Sequence, residues 1–361
     1  MADGLFLDDT YHDRRTLAQL ARRKKTSPQV PDWEHAFWAF LSEWLDERTD
    51  IAIRTSGSTG TPKTLRIRKD LFLNSAAMTL DFLKVRPGEK ALLCLSADYI
   101  AGKMMIVRAM CGNLKLSVIA PQVEAILSHD DAVDFSAMVP LQVRTILNRP
   151  DGRTRIGRIG KLLIGGAPIS PDIEEQLAGL DNQIYATYGM TETVSHIALR
   201  RLSGPERSPY YQVFPGVRIA VDENSCLVIR APALADCPVH TTDIVRMVSQ
   251  TEFEVIGRYD HVINSGGIKH SPEIIEQKLA GVLSDRFIIS SMPDRKLGEK
   301  LILIVESTDP KKYDWERLKT VLQGRLLPYE CPKRAFFLEK FPAVGNDKLS
   351  RREISRKALE D

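Results

Sequence analysis

Hydroxyls, glycines and a lysine are concentrated in one short stretch, Thr55-Ser-Gly-Ser-Thr-Gly-Thr-Pro-Lys63. Such a stretch offers backbone N–H and side-chain O–H donors to a polyanion, and glycine lets the backbone approach a ligand closely. The lysine adds a positive charge. A flexible Ser/Gly linker would seldom stand, as this stretch does, between a β-type run (51–55) and a helical pattern (69–83). The stretch therefore predicts a phosphate-binding loop with the donors Thr55, Ser56, Gly57, Ser58, Thr59, Gly60 and Lys63.

A Walker A loop is the rival interpretation of this stretch. That motif requires G-x-x-x-x-G-K-[ST]. Counting from Gly57 places Pro62 where the second glycine belongs, before Lys63 and Thr64. Proline lacks the N–H that the Walker cradle uses. The spacing therefore disfavours kinase-type P-loop chemistry.

Four further motifs follow along the chain: Gly165-Gly166-Ala167-Pro168; Tyr188-Gly189-Met190-Thr191-Glu192; Thr241-Thr-Asp243 with Gly257-Arg258-Tyr-Asp260; and Asn346-Asp347-Lys348-Leu-Ser-Arg351. Together with the phosphate loop they resemble the motifs of the acyl-adenylate-forming superfamily, which includes acyl-CoA synthetases, luciferases and peptide-synthetase adenylation domains. The resemblance runs from residue 51 almost to the end, although the chain is much shorter than a typical synthetase. It implies an enzyme that uses ATP and Mg²⁺ to activate a carboxylic acid as an acyl-adenylate and then passes the acyl group to CoA.

The resemblance also assigns the nucleotide contacts. Gly166 and Ala167 line the adenine pocket, where small residues admit a flat base, although a plain β-turn is the alternative for this segment alone. Tyr188 stacks on the base, beside Gly189 and Met190. Thr191 and Glu192 carry oxygens suited to the phosphates and to Mg²⁺. Asp243 accepts hydrogen bonds from the ribose hydroxyls, and Arg258 donates to the same sugar.

The last motif of the resemblance supplies a mobile cation. Lys348 would reach the carboxylate that attacks the α-phosphate and stabilise the negative charge that develops there. With Glu192 and Lys63 it makes up the predicted catalytic set, although Asp347 stands where the family usually has glycine. Asp260 occupies the hinge position about which the C-terminal domain rotates between the two half-reactions. The predicted thiol-side loop comprises Gly266, Gly267 and Lys269.

The acid is predicted from the segment that ends in Arg108. This arginine falls where o-succinylbenzoate–CoA ligases, of the menaquinone pathway, carry an arginine that faces the acyl substrate. That acid has a second carboxylate, whose burial without a partner would cost several kcal/mol, whereas a fatty-acid ligase needs no charge there. The alternative places Arg108 on a solvent-facing side of its helix and gives His196 no catalytic part. The predicted acyl-pocket residues are Tyr99, Lys103, Arg108, Ser195 and His196.

Strand and helix patterns alternate through the first half of the chain and predict an α/β fold with a largely parallel sheet covered on both faces. The strands are predicted at 51–55, 91–95, 114–119, 135–139, 161–164 and 183–187, and the helices at 33–45, 69–83, 101–111, 140–148 and 171–178. Residues 1–30 are expected to form a loosely packed lead-in.

Short strands over 217–256 predict a small antiparallel piece, after which a mobile α+β domain is expected. Its helices are predicted at 271–283, 314–324 and 350–358, and its strands at 286–292, 300–306 and 335–339. The resulting division is an N-terminal adenylate-forming domain, 1–257, and a C-terminal domain, 258–361, with the hinge near Asp260.

Composition is consistent with this organisation. A chain of 361 residues suits two domains at about 150 residues each. The net charge of +3 is too small to favour a nucleic-acid partner. No leader pattern and no run of about 18 apolar residues occurs, so a cytoplasmic protein without a membrane span is expected. Five cysteines without a C-x-x-C pair argue against a disulfide framework and a zinc knuckle. A homo-oligomer is compatible with the sequence.

Three other functions stay open at this point. The first is a CoA ligase for another aryl or small carboxylic acid, and the second is an adenylation module that serves a separate carrier protein. The third is a nucleotide-binding module without turnover, which the presence of both Glu192 and Lys348 disfavours, since a sensor has no need of the lysine.

Overall fold

The computed structural model describes residues 4–54, 64–129, 131–283, 285–344 and 348–360. The chain divides into two compact units. The first comprises Met1–Ile219, Ile229–Val239 and Val248–Glu252, and the second comprises Ala220–Val228, His240–Met247 and Phe253–Asp361. In the helices of the described ranges, none combines the length and the apolarity that crossing a membrane requires.

The first unit alternates strands and helices. Its strands are β1 (Gly4–Leu7), β2 (Thr10–Asp13), β3 (Asp50–Arg54), β4 (Thr64–Arg68), β5 (Lys90–Leu93), β6 (Lys115–Val118), β7 (Val133–Met138), β8 (Ile159–Ile164), β9 (Gln183–Gly189), β10 (His196–Arg201) and β11 (Tyr211–Val213). Its helices are α1 (Arg14–Lys24), α2 (Asp32–Trp44), α3 (Lys69–Leu83), α4 (Ile100–Cys111), α5 (Val123–Ser128), α6 (Pro140–Leu147), α7 (Gly152–Gly157) and α8 (Pro171–Ala178).

A mostly parallel sheet organises this unit, with the strand order β2-β1-β6-β5-β7-β8-β9-β10-β11. The pairs from β1·β6 through β8·β9 are parallel, and β10 returns antiparallel to β9. Strands β7 and β8 are buried along most of their length, as expected for parallel strands covered on both faces. Residues of α5 to α8, including Ile146 and Leu177, pack with Leu92 and Leu162 of the sheet. The predicted α/β fold is thus confirmed.

Two features of the first unit differ from the sequence predictions. The run at 51–55 was expected to join the parallel sheet, but β3 pairs antiparallel with β4 in a separate two-stranded sheet. The prediction that a helix directly follows the phosphate-binding segment was therefore wrong, because strand β4 comes first and α3 begins after it. The alternation in Thr64-Leu-Arg-Ile-Arg68 was the available signal for this strand.

The expectation of a loosely packed lead-in at 1–30 was also wrong. Strand β1 pairs parallel with β6, and α1 packs against α2. Leu5, Leu17 and Ala21 are at most 1% exposed, so the beginning of the described chain belongs to the core. The many charges of α1 lie on its outer face and conceal this role in the sequence.

Most residues of four strands belong to the second unit: β12 (Arg218–Val221), β13 (Cys226–Arg230), β14 (Val239–Met247) and β15 (Glu252–Arg258). These strands are neighbours in that order in the sheet. Its α+β part has the strands β16 (Ile263–Ser265), β17 (Ile268–His270), β18 (Phe287–Asp294), β19 (Gly298–Glu306), β20 (Arg334–Leu338), β21 (Ala343–Val344) and β22 (Lys348–Leu349). Its helices are α9 (Pro272–Lys278), α10 (Trp315–Gln323) and α11 (Arg351–Glu360).

Alternation along β18 and β19 builds two small cores on the two faces of this sheet. Ile289 and Leu303 pack with α9 and α10, whereas Ile288 and Ile304 pack with α11 through Ile354. The predicted elements occur here within a few residues, except that the helix expected at 271–283 ends at Lys278. Turns fill the remainder of that range, where Gly281 adopts a positive φ of 77°.

Candidate active site

The carboxyl ends of β8 and β9 lie side by side, because these parallel strands pair with Ile164 opposite Ala186. A Cβ added to Gly165 would lie 2.1 Å from Thr187 Oγ1, so a side chain there would force the Thr187 hydroxyl to move. Gly166 takes a positive φ of 90°, which suits glycine. The predicted adenine-lining residues Gly166 and Ala167 are therefore brought next to the end of the strand that carries Tyr188.

A tight turn follows Tyr188 and Gly189. Thr191–Thr193 form one turn of 3₁₀ helix after Met190, and Thr193 Oγ1 donates to the carbonyl of Ser195 at 2.8 Å. Val194 then takes φ 64° and ψ −53°, and the Ser195 N–H donates to the Thr193 carbonyl at 2.7 Å. This is a γ-turn of the rare, strained type, and it is occupied by a β-branched residue. Glu192, just before this turn, is exposed, whereas Ser195 at its end is partly buried.

Glu192 is exposed next to Thr191 in one turn of 3₁₀ helix, so its carboxylate is open to a magnesium ion that is held partly by substrate. Mg²⁺ commonly takes one or two protein carboxylates and completes its shell with phosphates and water. Glu192 and Thr191 would supply the protein oxygens, and the bound ion would neutralise phosphate charge.

Gly189 connects this turn to the neighbouring strand β10. Gly189 pairs with His196, and an added Cβ would lie 2.3 Å from both the His196 Cα and the Ser195 carbonyl oxygen. Backbone atoms cannot move aside cheaply, so a glycine is required. This close approach brings Ser195 and His196, predicted for the acyl pocket, beside the predicted nucleotide motif.

Arg108 is a buried cation on α4, with 2% of its surface exposed. Its Nη2 donates to Ser195 Oγ at 3.0 Å, but its buried Nε has no hydrogen-bond partner among the described residues. Burial lowers the pKa of Arg108 well below its ordinary value, to about 9, which still leaves it charged at neutral pH. The alternative that Arg108 faces solvent is therefore wrong, and its contact with Ser195 agrees with the predicted grouping.

His196 continues this network away from Arg108. Its Nδ1 lies 3.3 Å from Ser195 Oγ, and its Nε2 lies 3.0 Å from Thr79 Oγ1. Burial, reinforced by the charge of Arg108, lowers the pKa of His196 well below its ordinary value. The imidazole is thus neutral at pH 7. Sequence reasoning missed Thr79, whose only signal was a hydroxyl on the buried face of α3.

Two residues predicted beside Arg108 are not brought to it. Lys103 donates to the Ala97 carbonyl and lies 5.2 Å from the centre of the Phe40 ring. Five residues along a helix correspond to about 140° of rotation, so Lys103 and Arg108 leave α4 on different faces. Tyr99, just before α4, is 42% exposed. The structure thus brings Arg108, Ser195 and His196 together, while the acyl-pocket roles of Tyr99 and Lys103 stay predictions.

The predicted ribose pair lies in the second unit, where Asp243 on β14 is directly opposite Arg258 on β15. Arg258 Nη1 is 3.7 Å from Asp243 Oδ1, and Nη2 donates to Thr242 Oγ1 at 2.7 Å. Arg258 also binds both carboxylate oxygens of Asp260 at 2.8 Å. Burial acts to raise the pKa of Asp260, but Arg258 holds it below its ordinary value. The predicted hinge residue is therefore ion-paired with a predicted nucleotide contact.

The remaining predicted positions are placed by the backbone or lie outside the described residues. Gly266 and Gly267 form the turn between β16 and β17 with φ values of 61° and 84°, and Lys269 lies on β17. Lys348 belongs to β22, opposite Val344. Outside the described residues lie Asp347 and the whole phosphate segment: Thr55, Ser56, Gly57, Ser58, Thr59, Gly60 and Lys63.

Comparison with known proteins identifies the family. Residues 23–230, more than half of the chain, match the family described as AMP-binding enzyme. The chain is 37% identical to the acyl-CoA synthetase (AMP-forming)/AMP-acid ligase II-like protein from Dyadobacter fermentans DSM 18053, covering 94% of this chain and 98% of that one, with a TM-score of 0.62.

The names of several more distant relatives include the acid that they use. The chain is 25% identical to a feruloyl-CoA synthase from Amycolatopsis sp, covering 85% of this chain and 69% of that protein. It is also 25% identical to a 2-succinylbenzoate–CoA ligase from Bacillus mycoides strain KBAB4, covering 90% and 73%. The Bacillus subtilis o-succinylbenzoate CoA synthetase, solved with its acyl-adenylate intermediate, shares the fold with a TM-score of 0.72 at 19% identity, covering 87% of this chain and 70% of that one. The chain accordingly belongs to the AMP-binding enzyme family, as an AMP-forming acid–CoA ligase.

Proposed function

We propose that this ligase acts on o-succinylbenzoate, converting the acid, ATP and CoA into o-succinylbenzoyl-CoA, AMP and pyrophosphate. The observation that carries the proposal is the buried guanidinium of Arg108, whose Nη2 is held by Ser195 and whose Nε is unpartnered within the described ranges. A buried cation without a counter-ion is costly, and an anion bound there would remove that cost.

The reacting carboxylate cannot be that anion. It must approach the α-phosphorus of ATP, and it loses its charge when the acyl-adenylate forms. An acid with a second carboxylate keeps one charge for Arg108 through both half-reactions, which matches o-succinylbenzoate and not a simple aryl monoacid. The relative named 2-succinylbenzoate–CoA ligase supports the same acid. Because another relative is named feruloyl-CoA synthase, an aryl monoacid is the alternative substrate that the experiment must exclude.

The nucleotide sites follow from the same proposal. The segment 55–63, with Lys63, would bind the phosphates, and Tyr188 with Gly166 and Ala167 would hold the adenine. Asp243 and the Nη1 group of Arg258 face one another and would share the ribose hydroxyls. Glu192, exposed at the strained turn, would hold Mg²⁺.

The chemistry requires positioning and charge stabilisation without a covalent enzyme intermediate. The carboxylate oxygen attacks the α-phosphorus, and pyrophosphate leaves. Lys348 would stabilise the charge between the two groups. The CoA sulfur then attacks the acyl carbonyl and AMP leaves. In this proposal the C-terminal domain, 258–361, turns about Asp260 between the two steps and brings Gly266, Gly267 and Lys269 towards the thiol.

Acid-dependent exchange of labelled pyrophosphate into ATP tests the proposal. We expect exchange with o-succinylbenzoate at a kcat/KM at least tenfold above that with benzoate or ferulate, and a CoA thioester as the final product. A preference for ferulate would refute the diacid assignment. Nucleotide binding without AMP formation from any acid would favour the module without turnover.

A further inference from the structure

Arg351 makes a well-defined ion pair that the adenylation chemistry does not itself explain. It is the first residue of α11, three residues after Lys348. Its Nη1 and Nη2 donate to the two carboxylate oxygens of Glu276, at 2.6 and 2.5 Å, and Nη1 also donates to the Ile289 carbonyl at 3.0 Å. A bidentate arginine–carboxylate pair fixes direction as well as distance. The start of α11 is thereby joined to α9 and to β18.

The acceptor is itself held in place. Glu276 Oε1 accepts a second hydrogen bond from the backbone N–H of Ile289 at 2.6 Å. The side chains of Arg351 and Glu276 are only 20% and 19% exposed. The pair is thus shielded from most of the solvent screening that weakens surface ion pairs.

A second carboxylate on α9 extends the contacts to the predicted hinge. Glu273 Oε1 lies 3.6 Å from Arg351 Nε and 2.6 Å from His261 Nδ1. His261 directly follows Asp260 in one turn of 3₁₀ helix, Tyr259–His261. A continuous chain of polar contacts therefore runs from the hinge segment through α9 to the start of α11.

Lys348 lies close to the end of this chain of contacts. Strand β22 carries it, pairs with β21 through Val344 and Ala343, and leads through Ser350 into α11. Strands of two residues cannot fix a hairpin firmly by themselves. The ion-paired start of α11 follows Lys348 by three residues.

We propose that Arg351 is a positioning residue that anchors the start of α11 and thereby holds Lys348 in place for adenylation. The inference rests on the proposed role of Lys348 in adenylation and assigns to Arg351 a part in that step alone. A misplacement of about 1 Å in a catalytic group can cost about 100-fold in rate. Because the thiol step does not use Lys348, that step would be spared.

The test compares Arg351→Met with Arg352→Met, since Arg352 is the adjacent arginine and is exposed. Each half-reaction is measured separately: pyrophosphate exchange for adenylation, and thioester formation from supplied acyl-adenylate and CoA. Amide hydrogen exchange of the backbone at 348–350 provides a readout independent of activity. Wild type and Lys348→Ala define the two limits of exchange activity.

We expect Arg351→Met to lower pyrophosphate exchange by about 10- to 100-fold, to change thioester formation less than threefold, and to speed amide exchange at 348–350. Arg352→Met is expected to change none of these. Equal loss in both half-reactions, or unchanged amide exchange, would overturn the inference. If Arg351→Met does not fold, the double variant with Glu276→Gln, which leaves no carboxylate buried alone, is judged by the same criteria.

Two further outcomes separate this inference from the proposed function. Wild-type protein without exchange for any acid overturns adenylation itself and, with it, the role of Lys348. Exchange in wild type that persists in Lys348→Ala leaves adenylation standing and overturns the inference.

Discussion

Replacing Arg108 with methionine removes a buried cation while keeping a long, flexible side chain in its place. Arg108 is 2% exposed, and its Nη2 is fixed by Ser195. The replacement affects two quantities that can be measured independently: recognition of a dianionic acid and stability of the free enzyme. If Arg108 binds the acid but destabilises the free enzyme, the replacement should weaken recognition of the acid and raise the stability of the free enzyme.

The loss in recognition follows from leaving a bound carboxylate without its partner. Removing one member of a buried charge pair costs about 3–5 kcal/mol, which corresponds to a fall of about 150- to 5000-fold in kcat/KM for o-succinylbenzoate. Benzoate places no charge beside Arg108, so its kcat/KM is expected to change less than threefold. Arg108→Lys keeps a charge but loses the fork of donors, so we expect an intermediate loss.

The gain in stability follows from the depressed pKa. Burial lowers the pKa of Arg108 to about 9, so the folded state binds this proton less tightly than the unfolded state does. The resulting penalty is fully present below pH 9 and is relieved as pH rises from 9 towards the higher pKa of the unfolded state. At pH 7 we expect Arg108→Met to raise the free energy of unfolding by about 1–3 kcal/mol.

Steady-state kinetics with both acids and urea unfolding of the free enzyme measure these effects. Equal losses with o-succinylbenzoate and benzoate would show that Arg108 does not read the second carboxylate. A destabilised Arg108→Met protein would show that the guanidinium has a structural partner in the free enzyme, which would contradict a role in binding the acid.

Three other perturbations test the fold and the site. Leu5→Ala is expected to lower the free energy of unfolding by about 2–5 kcal/mol, because Leu5 is 1% exposed. In urea titrations the exposed Gln19→Ala should match wild type, and an unchanged stability of Leu5→Ala would show that β1 does not belong to the core. Burial lowers the pKa of His196 well below its ordinary value, so wild type is expected to lose stability between pH 7 and 5 that His196→Gln retains; parallel losses in urea titrations at the two pH values would contradict this. Gly189→Ala would place a Cβ 2.3 Å from the backbone of His196, so a lower melting temperature is expected, and wild-type melting would contradict the close approach of β9 and β10.

Local periodicity predicts most of this fold. The helices near 69–83, 101–111, 140–148 and 171–178 occur within a residue or two, because each has an apolar face that a parallel sheet covers. The early strand β1 could not be predicted, since four residues show too little alternation to stand out. The pairing of β3 with β4 could not be read either, because pairing depends on partners and not on the pattern of one strand.

The candidate site, too, could be predicted only in part from the sequence. Arg108 could be singled out because its neighbours in sequence resemble a known motif. Its burial, and its bond to a serine 87 positions away, required the fold. Thr79 reaches His196 across 117 positions, and Arg351 reaches Glu276 across 75, distances over which spacing carries no information. Glu192 and Lys348 stay predictions from resemblance.

The γ-turn at Val194 stands between two residues that we propose to bind different substrates. Glu192 precedes the turn and Ser195 is its last residue, and the Ser195 N–H donates across the turn to the Thr193 carbonyl. Occupancy on the nucleotide side would therefore alter the energy of the acid side, and by linkage the acid would alter nucleotide affinity by the same factor. Substrate synergy in this ligase would then arise from three residues of strained backbone and need no movement of whole domains.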